Sequence, residues 1–222
     1  MVFPEAEPML ALTPRDHDIL DTLTLRVRVL TLDQVVRTWW TGYAHGRQSA
    51  LRRLRELECE GKIDLFEMLA HPELPLVAPV VAWRPRDPEP DFDKVAYRLA
   101  VRWNLPPVWH VALIASRKMG LHYGGWGGRH PRPTERTHDL HMAALYLLKR
   151  AANPAVQLHW KSEEKLREQR KGENRAGKQH LPDAIVTRPK RTAVEFGGAY
   201  KVDKLRSFHY YCQRIGLPYE MW

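Results

Sequence analysis

The chain of 222 residues carries 35 basic and 26 acidic side chains, which gives a formal net charge of +9. Hydrophobic residues make up 44% of it, enough for the packed core of one or two domains, and this excludes wholesale disorder. The cysteines, Cys59 and Cys212, are two in number and far apart, which excludes a disulfide framework and a four-cysteine zinc site.

The basic excess lies in the second half of the chain. Residues 1–84 carry 10 basic and 12 acidic side chains, and residues 85–222 carry 25 and 14. This excess predicts a polyanionic partner, most often nucleic acid; a basic protein without such a partner is the alternative. No apolar run approaches the roughly 20 residues of a membrane span, and no secretory signal opens the chain. We therefore expect a cytoplasmic protein with no membrane partner.

Residues 13–60 predict three short helices. Thr13 followed by Pro14 is a helix start, because threonine caps an N-terminus and proline fits the first turn. Thr31 starts a second helix, and the third spans 47–60 with leucines at core spacing. Three helices with tight connections are typical of a helix-turn-helix core.

Residues 1–90 as a whole predict a winged helix-turn-helix domain. Segments 62–68 and 79–83 read as the two strands of a hairpin, with a proline-rich tip between them. In such a module the N-terminal half of the last helix enters the major groove of double-stranded DNA. The side chains suited to contact bases or phosphates there are Arg47, Gln48, Ser49, Arg52 and Arg53. The alternative is a module for protein contacts or for a homodimer.

The middle of the chain predicts further elements of a second domain, residues 91–222. A helix near 91–103 and a buried strand at 108–115 come first. Glycines and prolines fill 124–133, where no helix follows as a phosphate cradle would need, so we expect a flexible loop. An amphipathic helix then covers 134–150.

Two acidic residues on successive predicted strands carry the candidate chemistry. Asp183 begins the strand 180–187 and Glu195 ends the strand 191–196, so their carboxylates can face the same side. Such a pair can hold Mg²⁺, which prefers oxygen ligands, activates a water and stabilises charge on a scissile phosphate. A third ligand could be Glu163 or Glu164. Alternatively, Asp183 is a turn residue and Glu195 pairs with a nearby cation.

This order of a helix, Pro-Asp and a strand ending in glutamate resembles the PD-(D/E)xK nuclease superfamily. The resemblance implies a restriction-endonuclease-like mixed α/β domain with Asp183 and Glu195 as catalytic residues. The lysine of the Glu-x-Lys pattern is replaced by Gly197, so Lys201 and Lys204 on the next helix are the displaced candidates. The predicted fold class is α+β, a winged helix-turn-helix followed by this domain.

The whole chain is also similar to the replication-relaxation family of bacterial mobile elements. The stretches that carry the likeness are LTPRDHDIL, LRRLRELECEGKI, THDLHMAALYLL, WKSEEKLR, HLPDAIV and AVEFGGAYKVDKLRSFHYYC. The family implies a DNA-binding protein that acts in plasmid or mobile-element DNA replication, mobilisation or processing. If the protein is an enzyme, the resemblance implies metal-dependent DNA cleavage by the C-terminal domain. The alternative is a non-enzymatic regulator or replication accessory factor with a degenerate nuclease fold. His138 and His141 lie in the family's His-x-Leu helix start, where we expect capping or core histidines.

Overall fold

The computed structural model describes residues 10–170 and 181–222. Within these ranges the chain forms nine α-helices and two β-sheets, so the α+β class is confirmed. The helices are α1 (Pro14–Leu25), α2 (Leu32–Trp39), α3 (Gly46–Cys59), α4 (Phe92–Ala100), α5 (Arg117–His122), α6 (Arg136–Ala152), α7 (Val156–His159), α8 (Glu163–Arg170) and α9 (Val202–Arg214). The strands are β1 (Leu30–Thr31), β2 (Ile63–Ala70), β3 (Val81–Trp83), β4 (Val108–Ala115), β5 (Trp160–Ser162), β6 (Ala184–Val186), β7 (Thr192–Glu195) and β8 (Tyr219–Met221). None of these helices is both long and apolar enough to cross a membrane.

The first sheet is antiparallel, in the order β1-β4-β2. Strands β2 and β4 pair over their full eight residues, from Ile63 opposite Ala115 to Ala70 opposite Val108. The predicted hairpin between 62–68 and 79–83 is therefore wrong. Strand β4 matches the length of β2, whereas β3 has three residues and pairs with β8 in the second sheet.

The second sheet has the order β3-β8-β7-β6-β5, with β7 and β8 parallel and the other pairs antiparallel. Residues 71–107, between β2 and β4, leave the first sheet to supply β3 and α4, which packs against α9. Each of the predicted ranges, 1–90 and 91–222, thus contributes a strand to the sheet of the other.

Helix α6 lies between the two sheets, and its middle section is buried on all sides. Nine consecutive residues, 139–147, are buried, whereas a surface helix would alternate buried and exposed faces. The core cluster to which α6 belongs contains Leu54 of α3, Leu113 of β4 and Val194 of β7. The two sheets therefore share one continuous hydrophobic core.

The start of α1 is stabilised by a buried carboxylate. Asp16, with its side chain 1% exposed, accepts hydrogen bonds of 2.7 Å from both the backbone N–H and the hydroxyl of Thr13. Nη2 of Arg53, on α3, lies 2.6 Å from Oδ2 of Asp16. Burial would raise the pKa of Asp16, but Arg53 and Thr13 outweigh it and lower that pKa. Arg53 therefore joins α3 to the first turn of α1.

Replacing Arg53 with methionine keeps the aliphatic packing but leaves the buried Asp16 carboxylate without its cation. We expect the free energy of unfolding near pH 7 to fall by about 3 kcal/mol, measured by urea denaturation. The same substitution at Arg52, which is exposed on the same helix, should change it by no more than about 0.5 kcal/mol. Equal effects at the two positions would contradict this role of Arg53.

Candidate functional site

A cleft of about 900 Å³ opens where the two sheets meet. Its walls come from the glycine- and proline-rich loop, the first turn of α6, helices α8 and α9, and the segment between β2 and β4. The residues that line it are Arg28, His71, Ala100, Trp103, Arg129, Arg132, Thr134, Glu135, Thr137, His138, Asp139, Glu163, Arg167, Phe196, Gly198, Ala199, Tyr200 and Lys204.

The two predicted acidic residues meet beside this cleft. Strands β6 and β7 are antiparallel neighbours with Ala184 opposite Val194, so the residue before β6 lies next to the end of β7. The N–H of Phe196 donates to Oδ2 of Asp183 at 2.8 Å, and the N–H of Asp183 donates to Oε2 of Glu195 at 3.2 Å. The Glu195 carboxylate is thus held by the backbone of Asp183, and the Asp183 carboxylate by the backbone of Phe196, the residue after Glu195, so the two carboxylates converge.

Glu195 is the more deeply buried of the pair, with 1% of its surface exposed. The hydroxyl of Tyr200 donates to its Oε1 at 3.0 Å. Burial and the nearby negative charge of Asp183 raise the pKa of Glu195 well above its usual range. Burial, with the charge of Glu195, likewise raises the pKa of Tyr200. The raised pKa favours the protonated form of Glu195.

His138 is the functional-site residue that sequence reasoning missed. Its Nε2 lies 3.0 Å from Oδ2 of Asp183, and its Nδ1 lies 3.1 Å from Oδ1 of Asp139. Burial alone would lower the pKa of His138, but the two carboxylates outweigh it and hold that pKa well above the ordinary histidine value. An imidazolium therefore neutralises Asp183. Since 45 positions separate His138 from Asp183, no local spacing signals the contact.

His141 is a core histidine, as expected from the sequence. Its Nδ1–H donates to the carbonyl of Thr137 at 2.6 Å, and its Nε2 accepts from the N–H of Leu74 at 3.1 Å. Burial lowers the pKa of His141 to about 4, so the ring is neutral. It stacks on Phe196 with 4.5 Å between ring centroids, and so supports the residue whose N–H binds Asp183.

Of the two candidate lysines, Lys204 lies at the site. Its Nζ is 3.3 Å from the centroid of the Tyr200 ring. Burial lowers the pKa of Lys204, and the attraction of Glu195 and other nearby acids partly offsets this. Lys201 is exposed and has no described contact with the acidic pair. At Gly197 a Cβ would come within 2.8 Å of Leu99, so this position faces the core and has no room for lysine.

Glu163 lies on the rim of the cleft and could complete a metal site. It accepts a hydrogen bond of 2.6 Å from Arg167, one turn further along α8. Burial, with a contribution from the charge of Asp183, raises the pKa of Glu163. Glu164 instead pairs with Arg28.

Asp183 and Glu195 are the predicted ligands of Mg²⁺. This cation is commonly bound through one or two carboxylates, with waters and substrate phosphate completing the shell. Asp183 and Glu195 carry hard oxygen donors, and the charge of Asp183 also acts on Glu163 at the cleft. Among the described residues, no three His, Cys, Asp or Glu side chains form a ready cluster for a metal ion.

A second candidate surface follows one face of α3. Gln48, Arg52 and Arg55 are exposed at positions i, i+4 and i+7, which lie on one stripe of a helix. With Leu10, Leu51, Glu56, Cys59 and Glu60 they line a groove of about 610 Å³. Arg55 is not among the residues that the sequence predicts to contact DNA, although its spacing from Arg52 identifies it.

The other predicted DNA-contacting residues lie off this stripe. Arg47 is exposed and pairs with Asp33, and Ser49 is half-buried. Arg53 faces α1, where its guanidinium is held by Asp16. Its inclusion among the DNA-contacting residues is corrected by this contact, because the head group is committed to a buried carboxylate.

The glycine-rich loop is anchored to the fold rather than free of it. The N–H of Trp126 donates to the carbonyl of Thr24 at 3.1 Å, and that of Gly128 donates to Ala115 at 2.7 Å. A Cβ at Gly125 would lie 2.0 Å from the Thr24 oxygen, which only glycine avoids. The predicted loop has no helix or strand over 124–133, and its glycines permit this close backbone packing.

Comparison with known proteins finds no matching family model, no similar curated protein and no similar solved structure.

The protonation of His141 should be measurable in the pH dependence of stability. Its pKa is lowered from 6.5 to about 4 on folding. Between these two pH values His141 is therefore protonated in the unfolded chain and neutral in the folded protein. The free energy of unfolding should therefore fall as the pH drops from about 6.5 to 4, by up to about 3 kcal/mol from this group. In His141→Gln, urea denaturation should show a shallower pH dependence than in the parent. Equal slopes would contradict a neutral buried His141.

Proposed function

We propose that this protein binds double-stranded DNA through α3 and hydrolyses a DNA phosphodiester bond at the site of Asp183 and Glu195. The observation that carries the proposal is the convergence of these two carboxylates beside a cleft lined by arginine and lysine. The biological setting that we propose is plasmid or mobile-element DNA replication, mobilisation or processing, in keeping with the replication-relaxation resemblance of the sequence.

The arrangement of the first sheet supports a winged helix. The chain runs α1, β1, α2, α3 and β2, and β4 pairs antiparallel with β2 after the insertion of residues 71–107; apart from this insertion, the order matches the helices and wing of that module. In such modules the last helix reads the major groove. The exposed stripe of α3 carries glutamine and arginine, which bind bases and phosphates. A homodimer would bring two such helices to half-sites about 34–36 Å apart.

The second sheet supports phosphodiester chemistry of the PD-(D/E)xK type. Asp183 and Glu195 would hold Mg²⁺, which when bound would activate a water and stabilise charge on the phosphate. Lys204 lines the cleft and can neutralise charge that develops on the phosphate. It would take the place of a lysine at position 197, where a side chain would meet Leu99. His138, which lines the cleft, would hold the Asp183 carboxylate in place through their ion pair of 3.0 Å.

Cleavage can be tested on supercoiled plasmid with Mg²⁺ or Mn²⁺. We expect nicking that stops in chelator, that Asp183→Asn slows by about 100-fold or more, and that Lys204→Met slows similarly. Lys201→Met is the matched control, since that exposed lysine caps the start of the same helix and has no described contact with the acids; its rate should change by no more than about twofold. Failure to cut supercoiled, linear or branched DNA would remove the enzymatic half of the proposal.

One observation favours a second candidate function, a non-enzymatic regulator or replication accessory factor. The charge of Asp183 is already balanced by the His138 imidazolium, which a bound cation would have to displace. On this alternative, DNA binding persists in chelator and in the Asp183→Ala, Glu195→Ala double variant, while no condition produces nicking.

The role of α3 can be tested apart from cleavage. The Arg52→Ala, Arg55→Ala double variant should weaken duplex binding by about tenfold or more, and the slope of log affinity against log salt should fall by about 0.9 for each phosphate that α3 no longer neutralises. The charge-matched control is Arg206→Ala, Arg214→Ala, two exposed arginines of α9. Fluorescence anisotropy with a labelled duplex measures both. Equal affinity of the two double variants would show that α3 is not the reader.

A further inference from the structure

The cleft beside the acidic pair has a cationic lining of its own. Five arginine and lysine side chains and three acidic ones face it. The cations are Arg28, Arg129, Arg132, Arg167 and Lys204; the acids are Glu135, Asp139 and Glu163. The excess of positive charge indicates an anionic ligand.

Three of these arginines are available to phosphate. Arg129 pairs with Glu135 and Arg167 with Glu163, but the two arginine side chains are 57% and 54% exposed. Exposed ion pairs are weak and screened by salt, so a phosphate can replace the carboxylate. Arg132 is exposed and has no ion-pair partner among the described residues.

The loop that carries Arg129 and Arg132 is held before any ligand arrives. Its backbone is hydrogen-bonded to α1 at Thr24 and to the end of β4 at Ala115. An anchored loop loses little conformational freedom when its arginines engage a ligand. The cleft is therefore preorganised along this wall.

Aromatic rings form another part of the cleft wall. Trp103 and His71 are half-buried, with 5.1 Å between their ring centroids. Unpaired bases stack on such rings, whereas the faces of bases inside a duplex are covered by their neighbours. Rings beside arginines are the combination found where proteins hold single strands.

We propose that this cleft binds an unpaired DNA strand, with phosphates on Arg129, Arg132 and Arg167 and a base against Trp103 or His71. The inference rests on the proposed function in naming DNA as the ligand, and it identifies the unpaired strand as the form that reaches Asp183. Duplex binding remains the task of α3, so the protein carries two separate DNA sites.

The test uses the full chain in chelator, so that cleavage plays no part, and an oligothymidylate of about 16 nucleotides followed by fluorescence anisotropy. The Arg129→Ala, Arg132→Ala variant should bind this strand about tenfold more weakly, with a salt slope lower by about 1.4 for two phosphate contacts. Its affinity for duplex should match that of the parent. The Arg206→Ala, Arg214→Ala variant serves as the charge-matched control.

Base stacking is tested without a further substitution. An oligonucleotide of the same length that lacks its bases keeps the phosphates, and it should bind the parent about tenfold more weakly. Equal affinity for the two oligonucleotides, no binding of either, or tighter binding of the ribonucleotide version would overturn the proposal. A loss of duplex binding in Arg52→Ala, Arg55→Ala with unchanged strand binding separates the two sites, and absence of nicking alone bears only on the proposed hydrolysis.

Discussion

The burial of α6 on every side is the constraint on which the rest of the structure depends. The middle of α6 is buried around its circumference, and one sheet can cover only part of a helix. The first sheet and its helices pack on one side and strands β5 to β7 pack on the other, so both share the α6 core. Hydrophobic burial around α6 therefore sets the position of the two sheets relative to each other.

The same helix connects this packing to the candidate site. Its first turns carry His138 and Asp139, and Oδ2 of Asp139 lies 3.6 Å from Nη1 of Arg28, which precedes β1. The path from Arg28 through Asp139 and His138 to Asp183 alternates positive and negative charges. Buried charges are stable only when paired in this way, so the acidic pair depends on residues from both sheets.

Local sequence signals identify the single elements well where the deciding interactions are local. The start of α1 at Thr13 and Pro14 is confirmed, because a cap and a first-turn proline act within four residues. The strand at 108–115 is confirmed as β4.

The partners of such elements, in contrast, are often far apart in the chain and are not predictable in the same way. The predicted partner of β2 is wrong, because the actual partner, β4, begins only after 37 intervening residues. Strands of equal length pair once they are adjacent in the fold, whatever their separation in sequence. The helix pattern alone predicts that the head group of Arg53 contacts DNA. Its ion pair with the buried Asp16 arises only when α1 packs on α3, which no local pattern indicates.

The sequence by itself determined the α+β class, the capped start of α1, and the two carboxylates at the facing ends of neighbouring strands. Antiparallel neighbours and a two-residue side-chain period make that convergence a local consequence of the chain. Only the tertiary structure decided which cations accompany these acids, which arginines of α3 are exposed, and why the loop at 124–133 needs its glycines. Those features depend on the close approach of distant segments, which hydrophobic burial around α6 sets and which no stretch of sequence encodes alone.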